Sequence, residues 1–119
     1  MDYPFYIQLA SQAVDDLAGM PIADFRRVNP VLRRALELPG REHLFRVLLA
    51  DGQPSNWRTF SDGIEPYTAI FSFMTAAERH KRGITTSGRL VVAIPHQRHV
   101  DDVTRRLVEK ANPDDSDWE

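Results

Sequence analysis

Two of the four histidines stand three apart in Pro95-His96-Gln97-Arg98-His99, beside an arginine and just ahead of Asp101 and Asp102. On a helix that spacing turns both imidazoles to one side, where they could hold a divalent metal. A metal wants further ligands. Asp101, Asp102, His43 and His80 are the residues that could supply them, but no spacing fixes any of these, so no metal or other cofactor is assigned. The same corner could hold a phosphate or another anion. A helix N-terminus offers free N–H groups and partial positive charge, and His96, Arg98 and His99 would add donors. Against this, the corner has no glycine, and the two aspartates already complement the helix end. The plainer reading is a strand-to-helix turn with polar residues on a solvated rim.

Other reactive constellations are thin. Arg79-His80-Lys81-Arg82 is the densest basic run, and cations of this kind suit the solvated last turn of a short helix. No serine sits in a nucleophile-elbow pattern. The pairs Asp15-Asp16 and Asp101-Asp102 fall in helix-like segments where carboxylates are normally solvated. The chain is therefore expected not to be an enzyme. Trp57 flanks a polar turn, and Trp118 sits among Asp114, Asp115 and Asp117. Aromatic side chains in such places are common at protein interfaces, so these five residues are the candidate partner-binding set.

Composition narrows the class. The 119 residues suffice for one domain with its own core. With no cysteine, disulfides, thiolate metal sites and cysteine nucleophiles are excluded. A formal charge of −2 argues against broad electrostatic binding to nucleic acid. The apolar runs are far shorter than the roughly 18 residues of a membrane span. The opening residues show no basic run followed by a long apolar stretch, so a secretory signal is not expected and the cytoplasm is the default.

The elements that must position these residues follow from periodicity. Residues 4–17 carry Tyr6, Leu9, Ala10, Ala13, Val14 and Leu17 at helical spacing and predict a first helix, ended by Gly19 and Pro21. Residues 22–28 predict a short helical turn. Asn29-Pro30 then reads as a cap and first-turn proline of a second helix, stopped by Leu38-Pro39-Gly40. Residues 43–50 fit a strand or a helix; the strand is preferred because residues 56–61 offer a hairpin partner. Residues 67–73 are the clearest strand, rich in β-branched and aromatic side chains. Thr75 and Glu78 form a capping-box pattern that opens a short helix to about residue 82. Residues 89–94 form a further strand, and a last helix follows Pro95 and ends at Asn112-Pro113. The expected fold is α+β: one small sheet of about four strands, with two N-terminal helices and one C-terminal helix packed on it. Residues 1–113 form the expected globular domain and 114–119 an acidic, disordered tail.

Residues 44–83 resemble the N-terminal domain of the bacterial SseB-like family. The likeness lies in an apolar strand and turn, then a second strand ending near Ser61-Asp62-Gly63. A third strand runs from Ile70 to Phe73 and leads through Thr75 into a helix containing Glu78. Residues 89–94, the following helix and Asn112-Pro113 fit the family's continuation. The chain departs from the pattern in ending with an acidic tail and in lacking the family's glycines and prolines in the third strand. The resemblance carries no catalytic residues. It implies a binding role, in which a small immunity-type or accessory protein neutralises a toxin or effector. An acidic tail suits a basic partner through electrostatic steering. The alternative expectation is a small-molecule or phosphate-binding regulatory domain using His96, Arg98 and His99.

Overall fold

The computed structural model describes residues 5–38, 40–50 and 52–109. Its elements are β1 (Tyr6–Leu9), α1 (Ser11–Ala18), α2 (Ile22–Glu37), β2 (Arg46–Ala50), β3 (Gln53–Phe60), β4 (Ala69–Phe73), α3 (Ala76–Arg82), β5 (Gly88–Ala93) and α4 (Val100–Glu109). The fold is α+β, as the residue patterns predict, but the mixed sheet has five strands in the order β1-β5-β4-β3-β2. Four strands run as antiparallel neighbours. The fifth, β1, pairs parallel with β5, Ile7 against Arg89 and Leu9 against Val91.

That fifth strand corrects the helix expected over residues 4–17. Tyr6 to Leu9 is a strand, and the helix begins only at Ser11. The apolar spacing serves both geometries. The parallel partner lies about eighty residues away in sequence, so nothing local announces it. Ladder bonds to β5 and burial of Ile7 and Leu9 against the core outweigh helical continuity here.

Pro30 gives the second correction. It lies inside α2 rather than opening it. Asn29 leaves the backbone uncapped and instead accepts a hydrogen bond from Arg33 Nε at 3.3 Å. An interior proline costs about 3 kcal/mol. Val28, Leu32 and Leu36 are all fully buried on one face of the same helix, and each such side chain contributes roughly 1.5–3 kcal/mol. Burial therefore wins, and two expected segments fuse into one helix.

Within the described residues the other elements lie where expected, with shifted ends; the expected end of the last helix at Asn112-Pro113 lies outside the described residues. A single 3-10 turn, Glu42–Leu44, precedes β2, so the ambiguous segment is a turn and then a strand. The capping box is formed as read: Thr75 Oγ1 accepts from Glu78 N–H at 3.1 Å, and Glu78 Oε1 accepts from Thr75 N–H at 2.8 Å. Gly83, at φ +69°, ends α3 in the left-handed conformation that glycine adopts without strain.

The sheet divides the core in two. On one face Phe60, Phe71 and Val91 pack with Ala13 and Leu17 of α1 and with Val28, Leu32 and Leu36 of α2. On the other, Trp57, Ile70, Leu90 and Val92 pack with Val103 and Leu107 of α4. α1 and α4 thus lie on opposite faces.

Candidate functional site

The corner at His96 is built by three local devices. Thr68 N–H donates to Pro95 O at 3.0 Å and Gln97 N–H to Pro66 O at 2.7 Å, which pin the exit from β5 to the segment before β4. His96 is the N-cap of a 3-10 turn, Gln97–His99, and its Nδ1 accepts from Arg98 N–H at 3.2 Å. That bond leaves Nε2 as the protonated nitrogen in the neutral ring. The Tyr67 ring meets the His96 ring edge-on at 5.7 Å. The strand-to-helix corner is therefore present, with a histidine doing the capping.

Next to it lies a cavity of about 530 Å³, set between the exposed side of α1, the end of β5 and one side of α4. Its walls include Asp15, Asp16, His96, His99, Val103 and Arg106. Asp16 is committed to structure: Oδ2 accepts from Ile94 N–H at 2.7 Å, and Oδ1 from Gln12 Nε2 at 2.7 Å. Tyr67 O–H donates to Asp24 Oδ2 at 2.7 Å, and this bond, followed by burial, raises the phenol above its ordinary pKa of 10.0. The structure thus brings His96 and His99 together at one wall. Arg98 is not part of that wall; Arg106, about two helical turns further on, takes its place. Among the described residues no group of three or more His, Asp or Glu side chains converges as a metal site.

A second feature is the half of the sheet that α1 and α2 leave bare. Val47 and Leu49 of β2 alternate with Leu48, which packs into the opposite core. Val47 and Leu49 are 45% and 59% exposed, and Phe73 of β4 is 42% exposed. Arg58, paired across the ladder with Val47, lays its guanidinium 5.5 Å from the centre of the Phe73 ring. Behind them Arg89 is 4% exposed. Its Nη1 donates to Leu36 O at 2.8 Å, Nη2 stands 3.6 Å from Glu42 Oε1, and its guanidinium lies 3.7 Å from the centre of the Phe5 ring. Burial pulls its pKa below the ordinary arginine value, and Glu42 opposes that shift.

Of the expected partner-binding residues, Trp57 is 8% exposed and packs with Ile70, Leu90 and Leu107, so its ring serves the core. The pattern of β3 puts it on the α4 face, which a turn-flanking aromatic does not reveal. Asp114, Asp115, Asp117 and Trp118 lie outside the described residues. The exposed strip of Val47, Leu49 and Phe73 was not singled out from sequence. Its signal is the alternation in β2, which has apolar side chains on both faces.

No protein-family model matches the chain, and no curated protein matches it in sequence. Among solved structures, a chain of the toxin–antitoxin complex RelBE2 from Mycobacterium tuberculosis superposes with a TM-score of 0.52 at 14% identity, over 78% of this chain and 98% of that one. At that identity the likeness is one of fold. Among the described residues no helix is long and apolar enough to cross a membrane.

Proposed function

We propose that this chain is a non-enzymatic protein-binding module, one half of a two-protein pair in which it binds and neutralises a toxin or effector in the cytoplasm. The observation that carries the reading is the bare half of the sheet, where Val47, Leu49 and Phe73 stand exposed beside Arg58. Apolar side chains grouped on one surface are the usual core of a partner interface, with arginine a favoured companion. The shared fold with a chain from a toxin–antitoxin complex supports the same reading. The SseB-like resemblance belongs to this proposal as well, because it too implies binding rather than catalysis.

In this reading the acidic residues Asp114, Asp115 and Asp117, with Trp118, draw in a basic partner, and the sheet face holds it. The tagged 119-residue chain should recover a stoichiometric protein partner from its native cells. A copy lacking residues 114–119 should bind more weakly at low salt and show a shallower salt dependence. Equal affinity and equal salt dependence for the two copies would remove the tail from the account.

A further inference from the structure

The cavity beside His96 occupies a special place in the sheet. β1 and β5 are parallel neighbours. The chain leaves β1 into α1 on one face and leaves β5 through the corner into α4 on the other. Where neighbouring parallel strands send their following helices to opposite sides, a crevice opens beyond their carboxyl ends, and ligands bind in such crevices. The 530 Å³ measured there lies within the roughly 300–1,000 Å³ range of small-molecule sites.

Its chemistry is two-sided. On the α1 wall Asp16 is already held by Ile94 N–H and Gln12. The neighbouring Asp15 carboxylate has no hydrogen-bond or ion-pair partner among the described residues. On the α4 wall Arg106 makes one long bond, Nε to Asp102 O at 3.5 Å, and the His99 side chain makes none among the described residues. The apolar part of the lining includes Val92 of β5 and Val103 and Leu107 of α4. One uncommitted anion and one uncommitted cation thus line the same cavity, on different helices.

We propose that this cleft binds a free α-amino acid with a branched or aromatic side chain. Arg106, aided by His99, holds the carboxylate; Asp15 holds the ammonium; the side chain rests on Val92, Val103 and Leu107. A simple anion would be repelled by Asp15 and a simple amine by Arg106, so only the zwitterion satisfies both walls. The site is independent of the protein-pair reading.

The test is an NMR titration of the intact chain alone with L-leucine, L-phenylalanine, N-acetyl-leucine and isopentylamine. The amino acids should move the amide signals of Gly19, Ala93 and Ile94. Loss of either charged head group should weaken binding about tenfold or more, as for a charge-assisted hydrogen bond. Asp15→Asn should bind leucine no better than N-acetyl-leucine, and Arg106→Gln should bind leucine no better than the amine. Both substitutions are at exposed positions, so the fold should be retained. The proposal is overturned if no probe shifts those signals up to about 10 mM, ten times weaker than a millimolar site. It is also overturned if N-acetyl-leucine or the amine binds as well as leucine, or if both variants bind like the wild type.

Discussion

Single side chains decide how the corner is held. Tyr67 reaches 43 positions back in the sequence to Asp24, tying the segment before β4 to the first turn of α2. Because its folded pKa lies above the ordinary 10.0, the contribution of this bond is complete below that value and is lost as pH rises through the folded pKa. Tyr67→Phe should cost about 1 kcal/mol at pH 7. The gap to wild type should narrow above about pH 10, read from urea unfolding at both pH values. A gap that stays constant across that range would detach the effect from the phenol's ionisation. The sequence placed His96 and His99 at a helix start correctly. It could not show that His96 caps the turn through Nδ1, nor that Arg106 rather than Arg98 completes the wall. Which side of α4 faces the cavity is set by Val103 and Leu107 packing on the sheet, and Arg106 follows from that packing.

Among the elements, legibility tracks how local each signal is. α3 was readable because its capping box lies within four residues and its terminating glycine follows directly. β1 was not, because its strand character comes from a partner brought in by the whole chain. α2 lies between these cases. Its apolar face was visible on both sides of Pro30, but whether the proline begins or interrupts a helix depends on how deeply Val28 and Leu32 are buried. This gives a prediction at the same scale. Pro30→Ala restores a backbone donor in the second half of a helix that is otherwise continuous. It should raise stability by about 1 kcal/mol, less than the full proline penalty because the unfolded chain also gains freedom. Thermal unfolding by circular dichroism measures it, and a lower melting temperature would mean that the proline ring packs in a way the alanine cannot replace.

Taken whole, the molecule is a five-stranded sheet covered unevenly. α4 protects one face, while α1 and α2 protect the β1 and β5 side of the other and leave the β2 side open. Arg89 closes the boundary from beneath, bonded to the last turn of α2 and stacked on Phe5. The α+β class was legible from the alternation of strand and helix patterns. The uneven cover was not, since it follows from β1 taking the edge next to β5 and drawing both N-terminal helices to that side. The open half of the sheet is the proposed seat of a protein partner. Its most direct test is the affinity of the purified native partner for Val47→Thr/Leu49→Gln, measured by calorimetry against wild type. Threonine keeps the strand preference of valine, and both positions are exposed, so folding should be retained. Each half-buried apolar side chain lost from an interface should cost about 1 kcal/mol. The expected combined loss of affinity is about ten-fold or more, about 1.4 kcal/mol at the least. Wild-type affinity in the double variant would mean that the partner does not dock on this face.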